Sequence, residues 1–312
     1  MKTIIFVIFL IFSEVLLAQN IFVRVRTQKN LESRPLLAEN SKIKNVVQKK
    51  DNGKFDVISV VALNDYLAGV LSKEMPLSWP KEALKAQAVV ARSYVLARMQ
   101  ERQSKSYHVE SDQMDQVFEF TNSKKAYEAV TETANIFLMD QNQKILKAFY
   151  HSDCGGQTIP SNLVWNGAVD SGFATDPWCS LKEKNKWQFV ISTVDTENST
   201  QLLDQFRLKK FKNKIIELSG FSIQKLREKF GFDQIRNSPT NIEITENQII
   251  LSGQGYGHGA GLCQHGTFAQ SKLGRSYLDI IKHYYPKAIL SDNKIKLAFI
   301  KNKFMNDLTF KL

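Results

Sequence analysis

The sequence predicts an α+β fold: mixed strands packed around one central buried helix at about residues 80–101, with room for a smaller auxiliary lobe. Three observations predict it. First, Ile21–Thr27 alternates apolar and basic residues, and Phe55–Val61 is a short apolar run; both read as strands. Second, from Pro80 to about Gln100, Leu84, Ala88, Ala91 and Val95 recur at helical spacing, while Ala83, Ala86, Val90 and Ala97 make the opposite side small and apolar. A helix apolar on both sides is buried in mid-domain. Third, the 312 residues are 43% apolar and 11% aromatic, without repeat or low-complexity tract, so the chain can bury a large core.

Taken in order, Met1-Lys2-Thr3 precedes the apolar run Ile4–Phe12 and then Ala18, the pattern of a secretory signal peptide over residues 1–18. The run is too short, and Glu14 too close, for a comfortable membrane span; an uncleaved anchor is the alternative. The segment would touch the membrane in transit, and the chain is expected to be exported to the periplasm or cell envelope. Residues 19–54 form a strand and loop region, with strands at Ile43–Val47 and Phe55–Val61 around the turn Asp51-Asn52-Gly53. Asn64 is the expected N-cap of a short helix through Leu71. After the long helix come a loop and strand carrying Gln116-Val117-Phe118, a helix at about Ser123–Thr133, and a strand pair, Ile136–Met139 and Ile145–Tyr150. Gln201–Lys209 and Ser222–Phe230 read as helices, Ile242–Leu251 as strand, and the stretch from about Thr267 and that from Tyr277 to Tyr285 as the last helices. Residues 192–247 carry no recognisable chemistry and are the candidate auxiliary lobe; 291–312 form a tail.

The formal net charge is +11, unchanged by removing residues 1–18, and the pI is about 9.4. Such a balance suits an acidic partner such as an anionic envelope polymer, a membrane surface or nucleic acid. The basic residues are spread along the chain and form no arm, which argues against nucleic acid. Three cysteines, Cys154, Cys179 and Cys263, allow one disulfide and one thiol in an exported protein. A metal cluster is the other option, but no Cys-x-x-Cys spacing supports it.

Three stretches carry chemistry. In Val70–Pro80, Glu74 lies between two apolar runs on an elbow stiffened by Pro76 and Pro80. A carboxylate among apolar neighbours is a candidate general acid or base; it reads equally as a surface glutamate at a helix end. Gln87, Arg92, Ser93 and Tyr94 are polar groups on the buried helix and need partners there. The loop His151–Thr158 gathers polar and nucleophilic side chains at a strand end. Gly253–Gly266 holds six glycines, letting backbone approach a ligand with His258 and Gln264 presented to it. It lacks the βαβ context of a dinucleotide loop. Trp165, Trp178 and Trp187 suit either sugar stacking or a core.

Glu74-Met75-Pro76 through Trp79–Tyr94 closely resembles the core of the stage II sporulation protein D (SpoIID/LytB) family. The resemblance recurs, in order, at Asp115–Phe118, Tyr150–Gly156, Gly255–Gln264 and His283–Pro286, so it covers roughly residues 55–290. It implies a lytic transglycosylase acting on peptidoglycan glycan strands, particularly strands stripped of stem peptides, with Glu74 as catalytic residue. Gln87, Arg92, Gln116, Tyr150, His151, Ser152, His258 and Gln264 would line the groove. Glu74 would serve as acid and then base, with the sugar's own C6 hydroxyl as nucleophile. A glycosidase, by contrast, needs two carboxylates; for that rival the nearby candidates are Asp112, Asp115 and Asp153. A second rival is a non-catalytic wall-binding protein that enhances an amidase, so a cell-wall amidase is a further expected partner. Some relatives bind zinc through a Cys and a His just before the Gln116 position. Here Glu110–Asp115 has neither, and His108 has no Cys beside it. No metal and no other cofactor is expected.

Overall fold

The computed structural model describes residues 21–33, 35, 44–179, 185–192, 208–218, 221–245 and 248–291. The expected signal segment, residues 201–207 of the expected helix at Gln201–Lys209, most of the tail and much of residues 192–207 lie outside them. The fold is α+β, in two compact units: residues 1–147 with 289–312, and residues 148–288. The boundary at 147/148 falls inside the stretch 55–290 read as one domain.

The first unit opens with β1 (Phe22–Leu31), β2 (Lys44–Lys49) and β3 (Phe55–Ala62). β3 runs antiparallel to both others, with Val23 opposite Val61 and Val25 opposite Ser59. Val23 and Val25 are buried while Arg24 and Arg26 point to the other face, as the two-residue strand period requires. The chain passes directly into α1 (Leu63–Glu74). Asn64 does not cap it. The N-cap is Ala62, and the Leu63 N–H is satisfied by Ile21 C=O at 2.8 Å, so strand backbone does the work of a capping side chain.

α2 (Lys81–Glu101) is the central helix. Ala83, Leu84 and every residue from Ala86 to Ala97 are buried. Removing a core side chain such as Leu84 would cost about 2–5 kcal/mol. β4 (Val109–Glu110) adds parallel to β1, and α3 (Lys124–Glu132) follows, capped by the Ser123 side chain on Ala126 N–H. Of the expected pair at 136–150, β5 (Leu138–Met139) forms in the first arm, and of the second arm only Tyr150 joins a strand. Asp140 Oδ1 takes the N–H groups of Asn142 and Lys144 in a tight turn, and the bridge Met139–Ile145 closes the hairpin with the backbone bonds Asp140 N–H to Lys144 C=O and Leu146 N–H to Leu138 C=O at 2.8 and 2.9 Å. Among the described residues no helix is long and apolar enough to cross a membrane.

The second unit contains β6 (Tyr150–His151), α4 (Ser161–Val164), β7 (Lys186–Ser192), β8 (Leu208–Phe211), β9 (Lys214–Leu218), β10 (Phe221–Ser222), α5 (Ile223–Phe230), β11 (Asn241–Ile244), β12 (Gln248–Gln254), β13 (Leu262–Cys263), α6 (Gln264–Lys272) and α7 (Tyr277–Tyr284). Position 208 starts a strand where a helix was expected. Two three-stranded sheets, β10-β9-β8 and β11-β12-β7, share one apolar cluster that includes Trp187, Ile215, Leu226 and Leu251. Trp187 is therefore core, with its Nε1–H satisfied by Asn237 at 2.7 Å. Finally β14 (Ile289–Leu290) returns to the first unit and pairs with β5.

Candidate functional site

Glu74 is the last residue of α1. Met75 is extended (φ −134°, ψ 142°), as suits a residue before proline, so the chain turns away at the carboxylate. Glu74 is half-buried, and its Oε1 accepts the Val117 N–H at 3.2 Å. The segment carrying Val117 was expected to include a strand. It is irregular backbone laid along one face of α1, where Tyr66, Gly69 and Lys73 follow i, i+3, i+7 spacing. Tyr66 donates its hydroxyl to Gln116 Oε1 at 3.1 Å, and its ring stacks on Phe118 at 5.1 Å. Lys73 pairs with Glu119 at 2.6 Å. A Cβ on Gly69 would lie 2.5 Å from the Glu119 carbonyl oxygen. Glycine costs about 1 kcal/mol against alanine inside a helix; at Gly69 it admits the loop that holds Glu74.

Gln116 is fully buried and also donates to Ala91 C=O at 3.4 Å. One turn earlier on α2, Gln87 is fully buried too, and neither its Oε1 nor its Nε2 has a hydrogen-bond partner. An orphaned buried amide costs about 1–3 kcal/mol.

Arg92, expected to line a groove, is buried, and its guanidinium bonds the carbonyls of Val130, Thr133 and Ile136 at 2.8–3.1 Å. It closes the C-terminal end of α3, where backbone acceptors have no helical donor. Asp115 is likewise tied up, by Arg98 at 2.7 Å, Arg102 at 3.1 Å and the Tyr94 hydroxyl at 2.8 Å. Asp112 pairs with Lys29 at 2.8 Å. His108 is buried against Arg24, whose backbone N–H faces Nδ1 and whose guanidinium faces Nε2. Burial and the Arg24 and Arg102 charges push it down to about 3.

In the second unit, the loops expected to carry the remaining residues are joined backbone to backbone. β6 and β13 pair in parallel, setting Tyr150 beside Leu262 and His151 beside Cys263, and Asp153 and Tyr256 exchange backbone hydrogen bonds at 2.8 and 3.0 Å. Gly261 (φ 72°) makes this possible: a Cβ there would meet the Phe149 carbonyl oxygen at 1.9 Å. His151 is buried, its Nδ1 3.0 Å from Ala260 C=O and its Nε2 without a hydrogen-bond partner. Burial pushes it down to about 4. His258 is half-buried, with its ring centroid 5.4 Å from that of His151 and 4.7 Å from that of Trp165, which stacks on Phe149 at 4.2 Å. Burial and the His151 ring push His258 well below the usual histidine range. Both imidazoles are therefore neutral at pH 7, hydrogen-bonding groups rather than cations. Tyr150 and Ser152 are half-buried, and Gln264 is buried at the first position of α6.

Residues 51–139 match the SpoIID family model, described as a stage II sporulation protein. Over that stretch the chain resembles SpoIID proteins. It is 28% identical over 279 residues to Stage II sporulation protein D of Bacillus subtilis, covering 78% of each chain. To Stage II sporulation protein D of Bacillus amyloliquefaciens it is 27% identical over 261 residues, 74% of this chain and 75% of that one. To a Bacillus subtilis protein named Amidase enhancer it is 26% identical over 296 residues, 72% of this chain and 40% of that one.

The SpoIID match contains Glu74, Gln87, Arg92 and Gln116; Tyr150, His151, Ser152, His258 and Gln264 lie beyond it, in the second unit. Within the first unit, the structure brings Glu74 to the Gln116–Val117 backbone and turns Arg92 inward. Sequence reading missed Tyr66, Gly69 and the Val117 N–H. Only Gly69 had a signal, a glycine inside an apolar helical pattern. It also missed that Cys154, Cys179 and Cys263 converge with Asp176, all four buried, with ligand-type atoms within 4.8 Å of one another. The three sulfurs are free thiols, and Asp153 accepts the Cys179 S–H at 2.8 Å.

Proposed function

We propose that this chain is a peptidoglycan lytic transglycosylase, exported to the cell envelope, that cleaves the bond between N-acetylmuramic acid and N-acetylglucosamine in strands stripped of peptides. The observation that carries the reading is that Glu74 is held by the Val117 N–H while Asp112 and Asp115, the first-unit candidates for a second acid, are engaged by Lys29, Arg98 and Arg102. One carboxyl group suffices if the substrate supplies the nucleophile. Glu74 protonates the glycosidic oxygen and the C1–O bond breaks. The C6 hydroxyl of the same muramic residue attacks C1, and Glu74, now a carboxylate, takes its proton. The product ends in a 1,6-anhydro sugar and Glu74 returns to its starting state. A two-carboxylate hydrolysis would need a second free acid roughly 5–10 Å away. Digestion of purified glycan strands followed by mass analysis tests this: anhydro ends support the reading, and ends that have gained water contradict it.

The relative named Amidase enhancer favours a second reading, a non-catalytic wall-binding protein that stimulates an amidase. In that case purified strands would stay intact, and hydrolysis of peptidoglycan by an added cell-wall amidase would rise.

A further inference from the structure

We propose that Cys154, Asp176, Cys179 and Cys263 bind one zinc ion in a closed tetrahedral site that staples three turns of the second unit. The residues come from separate places: the glycine turn after β6, a turn at 176–179, and the junction of β13 with α6. All four are buried, and their ligand-type atoms lie within 4.8 Å of one another. Cys263 Sγ stands 3.3 Å from Cys179 Sγ, and Cys154 Sγ stands 3.5 Å from Asp176 Oδ2. Zinc bonds of about 2.3 Å to sulfur and about 2.0–2.2 Å to oxygen place tetrahedral ligand atoms roughly 3.5–3.8 Å apart. A small inward or outward adjustment therefore closes a shell around a single ion. An iron–sulfur cluster would need the thiolates splayed wider. Three thiolates and one carboxylate form a soft set that favours zinc over magnesium or calcium.

Backbone donors already converge on one of the sulfurs. Cys263 Sγ already receives two backbone N–H groups, from Cys154 at 3.3 Å and Gly266 at 3.4 Å. Asp176 is oriented by the Tyr284 hydroxyl at 2.5 Å, itself held by Gln270 at 3.1 Å, the outer-shell support that metal ligands require. Gly266 leaves the space these two occupy: a Cβ there would lie 2.0 Å from Asp176 Oδ2. Finally, Lys214 is 1% exposed; burial pulls its ammonium below the usual lysine range, and Cys154, Asp153, Cys179 and Cys263 act against that shift. A buried ammonium needs negative charge nearby, and a zinc–thiolate–carboxylate centre with net charge −2 supplies it. Zinc displaces the thiol protons on binding, so no oxidant is involved.

The rival is a disulfide between two of the three cysteines, favoured by an oxidising compartment. The full-length protein, purified without chelator, should hold about one zinc per chain and, once denatured with chelator and without reductant, show three free thiols. Titrating cobalt(II) into the stripped wild-type chain should give the intense visible absorption of tetrahedral thiolate-bound cobalt. This readout does not depend on any variant folding. The double variant Cys154→Ser, Cys263→Ser should lose zinc at least about tenfold. One thiol in place of three, or three thiols with no zinc and no cobalt band, would overturn the site.

Discussion

The Val117 backbone N–H donates to Glu74 Oε1 at 3.2 Å, joining the end of α1 to a loop more than 40 residues further along the chain. That loop has no secondary structure of its own. Its position rests on contacts along one helix face, so the Glu74 carboxylate is only as well placed as Tyr66, Gly69 and Lys73 make it.

Gly69→Ala therefore disturbs the site from a distance. A methyl 2.5 Å from the Glu119 carbonyl forces the loop outward. We expect a loss of about 1–3 kcal/mol in urea unfolding, as for overpacked cores, and a larger proportional loss of strand cleavage. Full activity with reduced stability would show that the loop does not position Glu74.

Gln87→Met separates function from stability in the opposite sense. It removes a buried amide with no partner while keeping similar volume. Stability should rise by about 1 kcal/mol, and cleavage should fall if the amide meets the sugar. A drop in stability would mean that Gln87 has a structural task.

Arg92→Met should behave as a fold mutation. Two carbonyls at the end of α3 and that of Ile136 beyond it lose a cationic donor, at a cost of about 3 kcal/mol or more. The protein that remains folded should retain its KM for glycan strands; a selective rise in KM would return Arg92 to the substrate.

His108 gives the first unit an acid limit. It stays neutral in the folded chain down to about pH 3, whereas the unfolded chain protonates it near pH 6.5. The unfolded state thus binds more protons below pH 6.5, and stability falls with pH by roughly 1.4 kcal/mol per unit from this group between those limits. His108→Gln should flatten the dependence in urea titrations from pH 6.5 to 4. An unchanged slope would contradict the assignment.

The sequence made α2 legible because its apolar period runs for five turns, and two prolines marked the elbow that carries Glu74. The Gln116 loop was misread as partly strand because its geometry comes from contacts with Tyr66 and Gly69, which no local pattern encodes. A buried arginine in a motif, such as Arg92, looks the same in sequence whether it faces a sugar or the carbonyls of α3. The cysteine centre was invisible because its members sit 25 and 84 residues apart (154 to 179, 179 to 263). Only the folded turns bring them together.

The role proposed for Glu74 stands or falls with the variant Glu74→Gln. That change keeps the side chain's size and leaves Oε1 able to accept the Val117 N–H, but removes the transferable proton. The account predicts that wild type releases 1,6-anhydro ends from purified, peptide-free glycan strands, and that the variant, with an unchanged melting temperature, does so at least about a hundredfold more slowly. Equal rates in the two proteins, or ends bearing added water, would contradict it.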